Sequence, residues 1–343
     1  MLKISKFNLS LKSKPLIIAE VGQSHQGKIK NIEKIINLIS KTGADFIKFQ
    51  THYGEEESTL DEPFRVKISN YKSRIDYWKS VEFNINEWKK IKNICNKKKI
   101  IFLSSPFSIK AVKILHKIGM PAWKIGSGEF FSDDLLESIF KYKKPIILST
   151  GLATMDEIKD RIKMIKRKKV QFILMQCTSL YPCSISQVKP DIIKIFKKKF
   201  NCLTGLSDHS GSIYPSIYAL SNGASLIEVH VEEKTDKLNP DSTSSISIAD
   251  LKELCKARDQ IYKMKISKKH KKLTPQLLKN KKIFTKSCAL INDKKKGHLI
   301  KKEDIVFKKP GFGINAKFIK EIIDKKLVKD ISHNRILRKN DFK

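Results

Sequence analysis

Eight short apolar runs recur along the chain, most of them 23 to 31 residues apart, and each ends in polar or ionisable side chains. The runs are 17–19, 46–47, 100–103, 122–123, 146–148, 172–175, 203–206 and 226–227. A strand that is buried on both faces reads as a continuous apolar run, and barrel enzymes place their chemistry where such strands end. The pattern therefore predicts eight strands whose carboxyl ends carry a functional site.

Apolar residues with helical spacing lie between these runs, as at Ile32, Ile35, Ile36 and Ile39, with lysines on the opposite face. The chain thus alternates between strand and helix. Such alternation forces a parallel sheet, because each strand is entered from the same side, and eight such units can close into a barrel. The predicted fold class is α/β, a (β/α)8 TIM barrel.

One interval, between the second and third runs, is longer than the others. The insert around Tyr53 to Phe83 contains aromatic residues among charged ones. These aromatic residues are Phe64, Tyr71, Tyr77 and Trp78. We expect a long, partly helical loop at the mouth of the barrel. The alternative is a solvent-exposed insertion with no role in binding.

The chain is longer than one barrel, which typically needs about 250 residues. We assign residues 1–265 to the barrel, whose eighth helix is predicted near Ile248 to Tyr262. The lysine-rich stretch 266–282 is predicted to be a linker or a solvated helix. Residues 283–343 are predicted to form a small β-rich domain from short apolar pieces. These pieces are 283–284, 288–290, 299–300, 305–307 and 336–337.

The chain is strongly basic, with 70 Lys+Arg against 35 Asp+Glu, a net charge of +35 and a pI of about 9.8. Such a surface attracts polyanions whatever its fold. The lysines, however, are spread over nearly every predicted helix, and only seven of the 70 basic residues are arginine, the type favoured for bidentate phosphate and base contacts. We therefore expect a solvated surface and no specific nucleic-acid partner.

Cysteine spacing and hydropathy indicate the cellular compartment. The six cysteines include no Cys-x-x-Cys pair, which argues against disulfides and structural zinc. The first residues lack the apolar core of a signal peptide, and no apolar run approaches the roughly 18 residues that span a bilayer. We expect a cytoplasmic protein that does not bind membranes.

Two histidines and a glutamate follow the last two runs. Glu228 and His230 are two residues apart at the end of the eighth run, so their side chains point to the same side of the sheet. His209 closes the seventh run. Two imidazoles that converge from neighbouring strands suit a divalent transition metal such as Mn or Co. The alternative is that each histidine is only a hydrogen-bonded residue at the barrel mouth.

Lysines and serines end other runs. Lys48 and Lys124 end the second and fourth runs, and a lysine that points into a barrel is costly unless something neutralises it. The serines at strand ends are Ser105, Ser127, Ser149 and Ser207. A small anion would neutralise the lysines, with the hydroxyls and the backbone N–H groups of 126–128 completing a phosphate site. The alternative is internal pairing of the lysines with Glu20, Glu129 and Glu228.

The polar strand ends resemble a known family, the N-acetylneuraminate (sialic acid) synthases. The strings that carry the resemblance are AEVGQSHQG at 19–27, KFQTH at 48–52, KIGSGE at 124–129, LSTG at 148–151, CTSLYP at 177–182 and GLSDH at 205–209. Their order and spacing also match. KPGFG at 309–313 resembles the signature of that family's C-terminal antifreeze-like (SAF) domain. The resemblance covers the chain from about residue 15 to its end.

The resemblance implies condensation of phosphoenolpyruvate with an N-acetylated amino sugar such as N-acetylmannosamine, which yields a nine-carbon 2-keto acid and phosphate. It implies that His209 and His230 bind Mn²⁺, with Mg²⁺ or Co²⁺ as alternatives. Positions that match the phosphoenolpyruvate site are Lys48, Lys124, Ser105, Ser127, Ser149, Ser179 and Ser207. Sugar-side positions are Gln50, Tyr181 and Asp241, and site carboxylates are Glu20, Glu129 and Glu228, of which Glu129 is our candidate for proton transfer.

The resemblance also implies a homodimer in which the SAF domain of one chain caps the barrel of the other. Lys309 would then reach the partner's acceptor site, where the family commonly carries arginine. Two further departures lie on the acceptor side. The chain has Ser24-His25-Gln26 where the family usually has Asn-His-Asn, and the loop from Thr235 to Asp241 is shorter than usual.

These departures leave the acceptor open. Legionaminic, pseudaminic or other nonulosonic acids are alternative products of the same chemistry. An enzyme that makes a keto-deoxy sugar phosphate would need a further cationic site for the acceptor phosphate. A catalytically idle basic barrel that binds polyanions is the alternative from a different class, and its binding would collapse in moderate salt.

Overall fold

The computed structural model of the protein describes residues 1–66, 71–233, 240–267 and 271–343. The chain divides into two compact units, Met1–Ser267 and Lys268–Lys343. The first unit holds the eight predicted strands, and each unit has its own hydrophobic core.

The strands of the first unit follow the predicted apolar runs. They are β1 (Leu2–Ile4), β2 (Phe7–Leu9), β3 (Leu16–Glu20), β4 (Phe46–Thr51), β5 (Ile101–Pro106), β6 (Trp123–Ile125), β7 (Ile146–Ser149), β8 (Phe172–Cys177), β9 (Leu203–Asp208), β10 (Leu226–Glu232) and β11 (Ser245–Ser247). In the second unit lie β12 (Ser287–Leu290) and β13 (Ile305–Lys308). The eight predicted runs correspond to β3 through β10, so the predicted barrel strands are confirmed.

Helices separate the strands of the barrel. They are α1 (Ile29–Ile39), α2 (Gly54–Glu57), α3 (Arg74–Val81), α4 (Ile85–Lys97), α5 (Ile109–Lys117), α6 (Asp133–Phe140), α7 (Met155–Arg167), α8 (Ile192–Phe200), α9 (Tyr214–Ser221) and α10 (Ile248–Ile266), followed by α11 (Pro275–Phe284). Short 3-10 helices include Gly128–Phe131. None of the helices in the described ranges is long and apolar enough to cross a membrane.

The barrel strands are parallel and lie in the order β5-β4-β3-β10-β9-β8-β7-β6. The two ends of this order, β5 and β6, lie side by side without a hydrogen-bonded ladder, so the barrel is nearly closed. The register pairs Glu20 with Lys48 on one side and with His230 on the other. The ends of β3, β4 and β10 therefore meet at one point of the rim.

Local sequence explains why the helices form where they do. In α7, Ile158, Ile162 and Ile165 are buried, and this spacing places them on one face of the helix. The helix starts at a capping box in which Thr154 accepts from the Glu157 N–H and Glu157 accepts from the Thr154 N–H. Capping boxes also begin α3, α4 and α10. Helix starts are thus fixed by short polar signals, while burial of one face holds the helices against the strands.

An antiparallel hairpin that the sequence analysis does not predict precedes the barrel. Strands β1 and β2 pair from Leu2 with Leu9 to Ile4 with Phe7. Leu2, Ile4 and Leu9 are buried in the core of the first unit. Each strand has only three residues, which is too short to show a periodic pattern.

One prediction for the second unit is wrong. The apolar piece 283–284 was predicted to belong to the β-rich domain, but it forms the end of α11, where Phe284 is exposed. Thr274 caps this helix by accepting from the Leu277 N–H, and Pro275 occupies its first turn. Most of α11 lies within 266–282, the stretch predicted to be a linker or a solvated helix, and none of its residues is buried. The remaining predicted pieces include β12 and β13, which pair antiparallel.

His25 is a buried histidine in the loop after β3. Its Nδ1 accepts a hydrogen bond from the Gly27 N–H at 3.0 Å, and its ring contacts the Phe83 ring. Burial, followed by the nearby His52, lowers the pKa of His25 to about 3. The folded protein therefore holds this imidazole in its neutral form.

This histidine should make the fold sensitive to acid. Between pH 6.5 and about 3 the unfolded chain binds a proton at His25 that the folded chain does not, so stability is retained above pH 6.5 and lost as the pH falls. In a His25→Asn variant, the new side-chain oxygen can accept from the same N–H, as in an Asx turn. We expect the free energy of unfolding of this variant to fall less steeply with decreasing pH than that of the parent. The two slopes should differ by about 1.4 kcal/mol per pH unit.

Urea unfolding at about pH 7, 6 and 5 measures this difference. A His116→Asn variant, on the exposed side of α5, controls for the loss of one histidine. Parallel stability–pH curves for the parent and His25→Asn would contradict the prediction.

Candidate active site

The carboxyl ends of the barrel strands bring the predicted polar residues together. Side chains at or just beyond these ends that are buried include Glu20, Lys48, Ser105, Lys124, Ser149, Ser207, His209, Glu228 and His230. Because the strands are parallel, all their carboxyl ends lie on one face of the barrel, where such enzymes carry their chemistry. The structure thus brings these predicted residues together at this face.

Two buried ion pairs form the centre of the cluster. Lys48 Nζ lies 2.5 Å from Glu20 Oε2, and Lys124 Nζ lies 3.1 Å from Glu228 Oε1. Burial alone would lower the pKa of Lys48, but the nearby Glu20 and Glu228 carboxylates raise it. Burial would likewise raise the pKa of Glu228, yet Lys124 and Lys48 lower it to about 2. The charges of this cluster are therefore mutually dependent.

Serine hydroxyls surround these pairs. Lys48 Nζ donates to Ser105 Oγ at 3.2 Å, and Lys124 Nζ donates to Ser149 Oγ at 2.9 Å. Ser207 Oγ donates to Glu228 Oε1 at 3.1 Å. The internal pairing that the sequence analysis gave as an alternative is thus present for Glu20 and Glu228. Glu129 differs, because it accepts from Ser132 Oγ at 2.7 Å.

Further hydroxyls converge on Gly151, next to the lysines. The Gly151 N–H donates to Ser127 Oγ at 3.0 Å, and the buried Ser179 Oγ has no hydrogen-bond partner within the described residues. A Cβ at Gly151 would clash with Ser179 Oγ and lie 2.8 Å from Ser127 Oγ. Glycine is therefore needed for this close approach. Cys177 Sγ, which also approaches this point, is close enough to Lys124 to interact with its charge. An unpartnered buried hydroxyl in such surroundings fits an oxyanion.

The two predicted metal ligands are neighbours. The ring centroids of His209 and His230 are 5.2 Å apart. His209 Nδ1 donates to the Thr178 carbonyl at 2.9 Å, because a carbonyl can only accept, and this leaves Nε2 for a ligand. His230 Nδ1 lies 3.7 Å from Asp241 Oδ2. Burial lowers the pKa of His230 to about 4, so its ring is neutral near neutral pH.

The donor set fits a metal that receives two imidazoles from the protein. Among the residues that the structure describes, no three His, Cys, Asp or Glu side chains are grouped closely enough to hold an ion by themselves. Water or substrate oxygens would fill the other positions. Burial would lower the pKa of His209, but Cys177, whose Sγ is 3.8 Å away, and the Thr178 carbonyl raise it to about 8. A metal at this site would compete with that proton.

A cavity of about 310 Å³ opens beside the cluster. Its described walls include the predicted sugar-side residues Gln50, Tyr181 and Asp241, together with Glu129. Burial raises the pKa of Glu129, although the Ser132 hydrogen bond opposes this shift. A carboxyl group with a raised pKa at a cavity wall is a candidate for proton transfer.

The long insertion also lines this cavity, through α3 and the loop before it. Arg65 Nη2 lies 2.9 Å from Asp241 Oδ1, and the Arg65 guanidinium lies 4.2 Å from the Tyr181 ring centroid. Arg74, Tyr77 and Trp78 form further parts of the wall. The insertion therefore forms part of the cavity wall, as expected for a loop at the mouth of the barrel.

Sequence reasoning missed several residues of this wall. They are His52, Glu57, Glu62, Arg65, Arg74 and Phe107. One signal was present, because only seven arginines occur in the chain and two of them lie in the insertion. Lys309, which the sequence analysis placed at the acceptor site, belongs to the second unit, where its ammonium lies 5.8 Å from the Phe284 ring.

Comparison with known proteins identifies relatives with this architecture. The chain is 31% identical over 332 residues to the N,N'-diacetyllegionaminic acid synthase of Campylobacter jejuni, covering 95% of this chain and 99% of that protein. It is 32% identical over 347 residues to the pseudaminic acid synthase of the same species, covering 99% and 100%.

A solved structure agrees with these sequence relatives. The N-acetylneuraminic acid (sialic acid) synthetase of Leptospira borgpetersenii, in complex with citrate, superposes with a TM-score of 0.68 at 29% identity. The match covers 78% of this chain and 90% of that one. The sequence profile of the NeuB family matches residues 35–270. The chain therefore belongs to the NeuB family, the phosphoenolpyruvate-condensing synthases of sialic, legionaminic and pseudaminic acids.

Proposed function

We propose that the protein condenses phosphoenolpyruvate with the open-chain aldehyde of an N-acylated amino sugar to give a nine-carbon 2-keto acid and inorganic phosphate. The observation that carries the proposal is the cluster of Lys48 and Lys124 with serine hydroxyls, placed beside two imidazoles and an open cavity. Phosphoenolpyruvate carries two anionic groups, which suit paired lysines. The cavity provides space for the sugar.

The reaction forms one carbon–carbon bond and breaks one carbon–oxygen bond. C3 of phosphoenolpyruvate attacks the aldehyde carbon, whose oxygen takes a proton. Water then adds at C2 and loses a proton. The resulting intermediate expels phosphate when the bond between C2 and the bridging oxygen breaks. Lys48 and Lys124 hold the anionic donor throughout, and Ser105, Ser127, Ser149, Ser179 and Ser207 supply hydrogen bonds to it.

The three carboxylates of the site have different roles in this proposal, and one of them moves protons. Glu129 is the candidate because it lines the cavity without a cationic partner among the described residues and its pKa is raised. Glu20 and Glu228 keep the lysines charged and oriented. His209 and His230 would hold Mn²⁺, with Mg²⁺ or Co²⁺ as alternatives, and a bound divalent ion would supply Lewis-acid polarisation of the aldehyde.

The acceptor side favours a sugar without a phosphate group. Arg65 pairs with Asp241, and Arg74 lies 3.2 Å from Glu62, so both guanidinium groups of the described cavity wall already face carboxylates. A phosphorylated sugar would have to displace these carboxylates. This arrangement also disfavours an enzyme that makes a keto-deoxy sugar phosphate.

Turnover with defined acceptors tests the proposal. We expect phosphate release from phosphoenolpyruvate with Mn²⁺ and an N-acetylated hexosamine or a diacetamido trideoxyhexose, and no release with the phosphates of these sugars or with plain aldoses. Mass spectrometry should identify a nine-carbon 2-keto acid. No turnover with any acceptor, combined with salt-sensitive binding to polyanions, would contradict the proposal and favour an idle basic barrel.

Lys124→Met tests the donor site. In the complex, Lys124 would form a buried charge pair with an anionic group of phosphoenolpyruvate, and removing one partner of such a pair costs several kcal/mol. We therefore expect the KM for phosphoenolpyruvate to rise at least about 100-fold. Lys163→Met, on the exposed surface of α7, is the matched control and should leave the KM unchanged. Thermal melting of both variants checks folding. A Lys124→Met enzyme with the parental KM would remove Lys124 from the donor site.

Exchange of second units between two chains is part of the proposal, with Lys309 acting in the partner's site. We expect Lys309→Ala and Lys124→Met to be weak when assayed singly. Refolding them together should restore activity, because a mixed dimer holds one intact barrel that faces one intact Lys309. Activity no greater than the sum of the separate variants would contradict the exchange, and light scattering would show whether a dimer forms.

A further inference from the structure

His52 is a buried histidine held between two aromatic rings at the edge of the cavity. Its ring stacks on Trp78 at a centroid distance of 3.9 Å and on Phe107 at 4.3 Å. Its Nδ1 lies 2.6 Å from Glu57 Oε1, and its Nε2 lies 3.1 Å from Gln50 Oε1. The ring is therefore fixed on both faces and at both nitrogens.

Gln50 connects His52 to the donor site. Gln50 Nε2 donates to Glu20 Oε1 at 3.0 Å, and Glu20 in turn pairs with Lys48. This contact requires the amide oxygen of Gln50 to face His52, so His52 Nε2 must carry a proton and donate. Gln23 Nε2 donates to the same oxygen at 2.8 Å. The Gln50 amide is thus oriented by three contacts together, those to Glu20, Gln23 and His52.

Two oxygen atoms in this part of the wall lack a donor. Glu57 uses Oε1 for His52, and its Oε2 is buried with no hydrogen-bond partner within the described residues. Gln23 Oε1 is also buried with no hydrogen-bond partner in the described part of the chain. Both side chains line the cavity. A buried carboxylate oxygen without a donor is costly, and a ligand that brings an O–H or N–H group would remove this cost.

We propose that Glu57 binds the acceptor sugar by accepting a hydrogen bond from one of its hydroxyl or amide N–H groups, and that His52 positions both Glu57 and Gln50 for this contact. The inference rests on the proposed function, because it names part of the acceptor site of that reaction. Glu57 lies in α2 of the insertion. Within the described ranges it forms no hydrogen bond or ion pair with Lys48, Lys124 or the serines that surround them. Its loss should therefore affect the sugar and spare phosphoenolpyruvate.

Glu57→Gln tests the sugar contact. Losing a hydrogen bond to a charged group should raise the KM for the acceptor about 10- to 100-fold, while the KM for phosphoenolpyruvate stays within about 2-fold. Glu56→Gln is the matched control, one residue earlier on the same helix but exposed and paired only with Lys110. It should leave both constants unchanged. An unchanged acceptor KM in Glu57→Gln, or equal rises in both constants, would overturn the proposal.

His52→Phe tests the positioning role. Phenylalanine keeps the stack between Trp78 and Phe107 but removes both hydrogen bonds. We expect the acceptor KM to rise as in Glu57→Gln, and the double variant to show less than the product of the two effects, because the residues act together. A parental acceptor KM in His52→Phe, or fully multiplicative effects, would overturn the positioning role.

Acceptor analogues test the same contact first on the parent enzyme. One deoxy or N-methylated analogue of the acceptor should raise the KM about 10- to 100-fold with the parent enzyme, and this penalty should vanish with Glu57→Gln. If no analogue is penalised in the parent, the inference fails while the synthase reaction stands. If the parent consumes no phosphoenolpyruvate with any acceptor, the proposed function fails and the inference fails with it.

Discussion

The structure of the site depends on two buried ion pairs, Lys48 with Glu20 and Lys124 with Glu228. Taking four charges out of water is expensive, and their mutual attraction repays this only with close geometry and additional hydrogen bonds. The parallel strand order provides that geometry for Lys48 and Glu20, since it places β3 and β4 side by side. Lys124 and Glu228 extend from β6 and β10, which lie four strands apart in the barrel order, and meet inside the barrel. The pairs hold lysines charged in a buried place where an anionic substrate can bind.

The two halves of the site are built differently. The donor half uses side chains at strand ends, which the barrel holds rigidly. The proposed acceptor half uses the insertion together with Asp241, and loops vary more readily than the strands that support them. Hydrogen bonds that run from Glu57 through His52 and Gln50 to Glu20 connect the two halves. Acceptor choice in this chain is therefore expected to depend on the insertion.

The sequence predicted most of the barrel and the polar side chains that meet at its strand ends. Buried parallel strands read as continuous apolar runs, and their polar ends are adjacent in sequence to those runs. The sequence did not predict the β1–β2 hairpin, whose strands are too short for periodicity, or the helical state of 283–284, which depends on the cap at Thr274. Contacts such as Arg65 with Asp241 join residues far apart in the chain, so no local pattern could reveal them.

The path of one oxygen atom tests the central claim most directly. We propose that the site around Lys48 and Lys124 binds phosphoenolpyruvate so that its C3 attacks the aldehyde of the acceptor. Phosphate is lost later by cleavage of the C2–O bond. Phosphoenolpyruvate labelled with ¹⁸O in the bridging position would be turned over with the accepted sugar. The account predicts that the label leaves with inorganic phosphate. Recovery of the label in the keto acid would show cleavage at phosphorus and contradict the account.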